Sequence, residues 1–424
     1  MGRTLWVLFV LSALCACEGI AFELRADGGQ GGSDGLEPGS DSGGGGNAAL
    51  GGGTTGGGSA SAGGGTTGGG SASAGGGSAG GGAATGGGSA GGGTAAAGGG
   101  STVGDAGTPG PCDIYQAAGT PCVAAHSTVR ALYQAYSGNV YQVRRGSDKS
   151  TKDVPLLSQG GYVDSAVQDS FCTGTTCTIS IIYDQSPQAN HLPVSPPVHW
   201  LANGGKEANA AAAKIKVAGH TVYGVYVESD VGITYRNNKT KGVATGDEAE
   251  AMYMVVDGKR YNGRCCFDYG NVETTGNDDG DATMETLEWG SIMNWSHGTG
   301  DGPWVLADLE NGVYAGAQKT GTVSSNTPLD ASYATLMLKG PSGNRFALKA
   351  GNAQSGSLGV KWDGARPSGY SPMKKEGAVE LGVGGDGSAG GIGTFFEGAI
   401  TQGSPPDATD DAVQANIVSA GYGR

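Results

Sequence analysis

From Pro111 onward the chain is cut into short apolar runs separated by Gly, Asn, Asp and Pro. Thr178-Ile179-Ser180-Ile181-Ile182-Tyr183 alternates with period two, as does Thr221-Val222-Tyr223-Gly224-Val225-Tyr226-Val227. Strand side chains point alternately to two faces, so each run predicts a strand. Residues 252–256, 333–338 and 378–383 continue the series. Many short strands punctuated by turn residues predict an all-β fold, a sandwich or jelly roll, rather than alternating βα units. Two peripheral helices are expected. Residues 122–136 carry apolar side chains at helical spacing, and residues 407–420 open with an acidic turn after Pro405-Pro406.

The strand pattern is absent before Pro111. Of the 86 glycines in the 424-residue chain, about forty lie in residues 28–110, a stretch with no Lys or Arg and almost no large apolar side chain. Such a segment cannot bury enough surface to offset its ordering entropy and is expected to be disordered. Repeats such as Gly-Gly-Gly-Thr-Thr-Gly-Gly-Gly-Ser-Ala-Ser-Ala make it a flexible tether with an r.m.s. reach of roughly 50 Å. Glycine triplets without a Gly-X-Y period exclude collagen.

Ahead of it, Arg3 and an apolar run over residues 5–14 read as a secretory signal, too short to span a bilayer. Leu14-Cys15-Ala16-Cys17 resembles a bacterial lipobox, which would make Cys17 a lipidated first residue. The expected organisation is therefore a lipoprotein-type signal peptide (1–16), a disordered linker (17–110) and one globular domain (111–424). The destination is the outer face of a bacterial membrane, or free secretion if cleavage is ordinary. Of the net charge of -14, residues from 111 onward carry -9. That sign argues against a nucleic-acid binder, which needs basic patches. Neutral polymers fit better, and contact with a membrane is expected only through the lipid.

Six cysteines remain beyond Cys15 and Cys17, an even number in an exported chain, so disulfides are expected. Cys112 with Cys122, and Cys172 with Cys177, can each close a small loop. Cys265 and Cys266 are then either free thiols or bonded to each other. A bond between neighbours closes no chain loop and adds almost no entropic stability. It would instead present a rigid, polarisable, water-poor surface. No second Cys pair or His pair accompanies them, so no metal site is expected.

With five histidines and no Gly-x-Ser-x-Gly elbow, chemistry is sought among the acids. In Trp304-Val305-Leu306-Ala307-Asp308-Leu309-Glu310-Asn311-Gly312, strand alternation would put Asp308 and Glu310 on one face. Asp386 follows an apolar run, in Gly384-Gly385-Asp386-Gly387, where glycine allows close backbone approach. Two carboxyls delivered by strands to one concave face can cleave a glycosidic bond, one attacking and the other holding a proton. Asp278-Asp279-Gly280-Asp281 lacks the glycine position and the final Glu of an EF-hand and reads as an exposed turn. Glu285 and Glu288 could line a sheet face. His126 and His191 read as structural, and Trp295 and Trp304 as core or as a sugar platform.

Taken together, residues 111–424 resemble the catalytic domain of glycoside hydrolase family 54, the α-L-arabinofuranosidase B type. The resemblance is carried by Gly110-Pro111-Cys112-Asp113-Ile114-Tyr115, Tyr183-Asp184-Gln185-Ser186, Gly263-Arg264-Cys265-Cys266-Phe267-Asp268-Tyr269-Gly270-Asn271, Ala307-Asp308-Leu309-Glu310-Asn311-Gly312 and Gly384-Gly385-Asp386. It implies a concanavalin-like β-sandwich (jelly roll) whose pocket releases terminal arabinofuranose from arabinoxylan or arabinan with retention, as a monomer without a cofactor. It assigns Glu310 as nucleophile and Asp386 as general acid/base. Asp308, Asn311 and Gly385 would hold furanose hydroxyls. A Cys265–Cys266 disulfide would form an apolar platform, with Trp295 flanking it. Related chains commonly continue into an arabinose-binding β-trefoil that this sequence, ending at Arg424, does not include; weaker polymer affinity is expected. Residues 187–216, with His199-Trp200, depart from the family and are expected to reshape a loop. Rival readings are a β-xylosidase-type activity in the same pocket and a sugar-binding module that does not cleave.

Overall fold

The computed structural model describes residues 108–424. The signal segment, Cys17 and nearly all of the glycine-rich tether lie outside the described residues.

Four of the five runs form strands of two facing antiparallel sheets, so the all-β sandwich is borne out, while residues 178–183 supply a strand of a separate four-stranded sheet. The larger sheet runs Gly359–Gly364, Phe346–Asn352, Tyr333–Gly340, Glu250–Asp257, Gly393–Gln402, His220–Val227 and Ala213–Val217, with Cys122–Ser127 also pairing to Gly393–Gln402. The second runs Val313–Tyr314, Trp304–Asp308, Glu285–Gly290, Asp268–Val272, Ala378–Leu381 and Tyr235–Asn237. A four-stranded sheet containing Tyr141–Arg145 and Cys177–Ile182 lies beside them in the chain order.

Residues paired across an antiparallel ladder share a face, which gives the second sheet two distinct surfaces. One row across it is Tyr235, Leu381, Tyr269, Leu287 and Ala307. These side chains are buried in the main core, where Tyr269 packs against Phe395 of the larger sheet, ring centroids 5.1 Å apart. The next row is Arg236, Glu380, Gly270, Thr286 and Asp308, and it points the other way. Asp268, Glu288 and Leu306 form a further row on that same outer face.

Residues 122–136 correct the helix expectation. Cys122–Ser127 is a strand buried at all six positions. Continuous burial removes the period-two signal, and Val129 and Leu132 beyond it supply an accidental helical spacing. The open edge of Gly393–Gln402 supplies backbone partners, and the Ser127 hydroxyl accepts the Val129 and Arg130 amides to turn the chain. The nearby helix is instead Pro111–Ala117, fastened by the Cys112–Cys122 disulfide. Asp407–Ser419 is helical as expected, its first-turn Asp407 and Asp410 paired to Lys339 and Lys349. A third helix, Ser165–Phe171, precedes the Cys172–Cys177 disulfide. With Cys265–Cys266, three disulfides occur among the described residues, the state expected of an exported chain.

On the core face, Glu285 and Glu250 are fully buried and offset by Arg366 and Lys375. Burial pushes Glu285 up, but Arg366 and Lys375 outweigh it and hold its pKa at about 2. Removing one member of such a group leaves an unmatched buried charge. Arg366→Met should lower unfolding free energy by ~3–5 kcal/mol, read as a denaturant midpoint shift with unchanged slope. A loss under ~1 kcal/mol would show that water reaches the cluster.

Candidate active site

Asp308 is the last residue of its strand and belongs to the outer row of the second sheet. The chain then turns at once: Glu310 and Asn311 have φ of 68° and 55°. The expected strand alternation of Asp308 and Glu310 is therefore corrected, because the strand has already ended. A left-handed conformation at a non-glycine residue costs ~1–2 kcal/mol and persists only where its surroundings fix it. Here the Glu310 amide donates to Asp308 Oδ1 at 3.2 Å, and the Glu310 carbonyl accepts the Tyr370 hydroxyl at 2.8 Å. Tyr314 in turn donates to Tyr370 at 2.9 Å. A Cβ on Gly312 would sit 2.0 Å from the Tyr314 hydroxyl, so only glycine completes the turn.

Asp386 arrives by a different route. Ala378–Leu381 runs antiparallel to Trp304–Asp308, with two strands between them, so its end points away from Glu310. The following segment has to double back over the outer face. Gly382 starts the reversal at φ 127°, and a Cβ there would meet the Ile233 carbonyl oxygen at 2.3 Å. A Cβ on Gly385 would come 2.3 Å from Glu273 Oε2. This close approach lays Asp386 over the acids of the sheet. Its Oδ1 accepts the Ser388 amide and hydroxyl at 2.9 and 2.7 Å, and its Oδ2 accepts the Trp200 indole N–H at 2.7 Å.

All eight residues singled out as catalytic or substrate-binding line one cavity of about 140 Å³: Glu310, Asp386, Asp308, Asn311, Gly385, Cys265, Cys266 and Trp295. Cys265 and Cys266 are disulfide-bonded to each other. Their sulfurs lie 3.7 and 3.2 Å from Asp308 Oδ2, contacts without a proton to donate. Trp295 packs beside them, half-buried.

The electrostatics are set by acids without counter-charges. Among the described residues no Lys or Arg forms an ion pair with Asp268, Glu273, Glu288, Asp308 or Glu310. Burial first, then Glu273 and Asp308, push the Glu310 carboxyl up to about 11. Burial and Asp268 raise Asp308, and burial raises Glu273. Burial lifts Glu288 to about 8, and burial with Glu288 lifts Asp268. Glu273 lies within hydrogen-bond reach of Glu310, and Asp268 of Glu288. Glu273 Oε2, Glu288 Oε1 and both Asp268 oxygens find no donor. Protons shared within each acid pair supply those bonds.

The sequence reading missed Glu273, which stands one residue beyond Asp268–Val272 and takes its place in the site from Gly385 packing on it. It placed Glu288 on a sheet face, correctly, but Glu285 lies on the opposite, core face. The 278–281 acids do form a turn, yet Asp278 also reaches the cavity and accepts Asn311 Nδ2 at 3.1 Å. His126 is structural, its ring nitrogens on the Tyr269 hydroxyl and the Asn190 carbonyl. His191 accepts the Asp184 amide. Trp304 is core.

The family model described as alpha-L-arabinofuranosidase B, catalytic, matches residues 111–423. Alpha-L-arabinofuranosidase B of Aspergillus oryzae is 50% identical over 308 residues, 71% of this chain and 60% of that one. An arabinofuranosidase/β-xylosidase of Trichoderma koningii is also 50% identical, over 71% of this chain and 61% of its own. A crystal structure of an arabinofuranosidase complexed with arabinofuranosyl-α-1,2-xylobiose superposes with TM-score 0.72 at 48% identity, covering 74% of this chain and 65% of that one. The chain thus spans about 60% of the length of these curated relatives. The matched span takes in both facing sheets and every residue that lines the pocket: the chain belongs to the alpha-L-arabinofuranosidase B catalytic family.

Proposed function

We propose that the domain is a retaining, exo-acting α-L-arabinofuranosidase that removes terminal arabinofuranose from side chains of arabinoxylan or arabinan. The observation that carries this reading is the small cavity in which Glu310 and Asp386 enter from turns that follow different strands, over a shared floor of Asp308 and the Cys265–Cys266 sulfurs. A cavity of that size admits a chain end and not a chain interior. The xylobiose-borne arabinofuranose bound to the structural relative supports the substrate class.

Two displacements on one carbon give retention. Glu310 attacks the anomeric carbon while Asp386 passes its proton to the departing glycosidic oxygen. Asp386 then takes a proton from water, which releases the sugar from Glu310. Glu310 must be ionised to attack. Of the Glu273–Glu310 pair, Glu273 is the fully enclosed member and Glu310 the one whose carboxyl is raised, so the attack requires the shared proton to pass to Glu273, which leaves the Glu310 carboxylate facing the sugar. Asp308, held protonated by burial, can donate to a furanose hydroxyl, while Asn311 and the Gly385 backbone serve the others. The disulfide and Trp295 offer the apolar surface for the sugar's C–H face. The scheme calls for no metal or cofactor. A β-xylosidase activity in the same pocket is the second reading, favoured by the double name of the Trichoderma koningii relative. We further propose export through the 1–16 signal and lipid attachment at Cys17, supported by the Leu14-Cys15-Ala16-Cys17 sequence and the three disulfides.

Glu310→Gln should lower kcat on 4-nitrophenyl α-L-arabinofuranoside by at least ~10⁴-fold, since the attacking group itself is lost. NMR of the first-formed product should show the retained anomer; an inverted product would remove Glu310 as nucleophile. Stability should be greatest near pH 4–5. The folded state raises Glu288 from 4.5 to about 8, so it binds that proton more tightly than the unfolded chain does. That contribution is complete below pH ~4.5 and disappears as pH rises through about 8. Glu288→Gln should flatten the decline in melting temperature over this range; an unchanged slope would count against the shared-proton pair. If Cys17 carries lipid, the native protein should partition into detergent and its N-terminal peptide show the acyl mass. An unmodified, aqueous-phase protein would contradict the anchor.

A further inference from the structure

The loop over residues 196–204, inside the stretch expected from the sequence to reshape a loop, packs directly on the turn that bears Asp386. The Trp200 amide donates to the Asp386 carbonyl at 2.9 Å, and the Trp200 indole N–H donates to Asp386 Oδ2 at 2.7 Å. The His199 amide donates to the Gly276 carbonyl at 2.8 Å, tying the same loop to residues 273–281. A Cβ on Gly387 would meet Val198 at 2.8 Å and Leu201 at 3.2 Å, so the two segments are in close contact. Yet the Trp200 side chain is 65% exposed, the most exposed large hydrophobic residue among those described, with His199 edge-on to it at 4.4 Å. A tryptophan held at backbone and indole but left open on its face is neither core nor surface noise.

We propose that Trp200 is a positioning residue for the general acid/base and the wall of the leaving-group subsite. This rests on the reading of Asp386 as acid/base. The Ser388 donors occupy Oδ1, so Oδ2 is the oxygen left to hold the transferable proton, and the Trp200 indole fixes its direction. A donor to a carboxylate favours the ionised form. Acids surround Asp386: Asp308 and Glu310 line the same cavity from the sheet side, Asp278 from the 273–281 loop, and Glu273 lies beneath Gly385. His199 is the ionisable neighbour on the same loop as Trp200. The open indole face stands beside the acid, where the sugar carrying the arabinofuranose must lie, and a flat apolar ring there suits the C–H face of a pyranose.

Trp200→Phe removes the N–H and keeps a ring. Its alkaline limb of kcat/KM against pH should move up by about half a unit to one unit, the direction expected when a donor to the ionised form is lost. Trp200→Ala should in addition raise KM about 5- to 20-fold for arabinofuranosyl-xylobiose and less than twofold for 4-nitrophenyl arabinofuranoside, roughly the effect of losing one aromatic contact. Asp386→Asn is the control for the underlying reading. It should lower kcat by ~10²–10⁴ on the oligosaccharide and less on the aryl glycoside, whose leaving group needs little protonation. If Asp386→Asn loses nothing on the oligosaccharide, the acid/base assignment itself fails. If Asp386→Asn behaves as stated but Trp200→Phe keeps the parental alkaline limb and Trp200→Ala keeps the parental KM, Trp200 is only a loop anchor and the proposal is overturned.

Discussion

Carboxyl groups crowded together away from water cannot all be ionised, and that constraint organises this molecule. Asp268, Glu273, Glu288, Asp308 and Glu310 are all 6% exposed or less, on or next to one face of one sheet. Without cations among them, the cluster keeps protons that isolated carboxyls would have shed. The cost is tolerated because the acids meet in pairs, Asp268 with Glu288 and Glu273 with Glu310, and a proton between two carboxyls satisfies both. A site that stores protons next to a nucleophile and an acid is suited to a reaction that moves one proton onto an oxygen and later recovers it.

The same sheet shows what the cluster would be if stability were its only end. On its core face, Glu285 and the facing Glu250 have Arg366 and Lys375 as partners, two acids against two cations. On its outer face Arg236 pairs with Glu380 and also donates to the Gly385 and Glu273 carbonyls, bracing the Asp386 turn from below. Cations therefore stop at the border of the pocket. Three neighbouring strands, Trp304–Asp308, Glu285–Gly290 and Asp268–Val272, carry the unpaired acids on their outer face, and antiparallel alternation keeps these apart from the core face by a single residue step.

Much of this was legible in the chain. Residues 178–182 and 221–227 kept an alternation because part of each strand is open to solvent, whereas Glu250–Asp257, Tyr333–Gly340 and Ala378–Leu381 are buried almost throughout and showed only as short apolar runs. Residues 122–136 misled because their strand is buried on both sides, leaving no polar face to set a period. Asp308 and Glu310 were rightly joined for the wrong reason: the run to Leu309 looks like a strand, but the left-handed turn depends on Tyr370 and Tyr314, and Tyr370 is sixty residues away. Glu273 gave no signal, since its meaning comes from Gly385 lying on it. Trp200 stood out only as a departure, and nothing local tells that its loop closes on Asp386.

These misses share a cause that also explains the site. Each catalytic carboxyl sits outside regular strand, on a segment whose conformation is dictated by distant groups: Glu310 by two tyrosines, Asp386 by glycines pressed on Ile233 and Glu273. Strand pairing fixes positions only to the end of the ladder, and the last few ångströms are set by side chains from elsewhere in the sequence. Placing the acids on such braced turns, rather than on the strands, lets opposed strands contribute to one small cavity. In the strand frame alone, the antiparallel ends at Asp308 and Leu381 would leave the two carboxyls facing opposite rims of the sheet. The glycine-rich reversal after Leu381 is therefore as necessary to the chemistry as the carboxyls themselves.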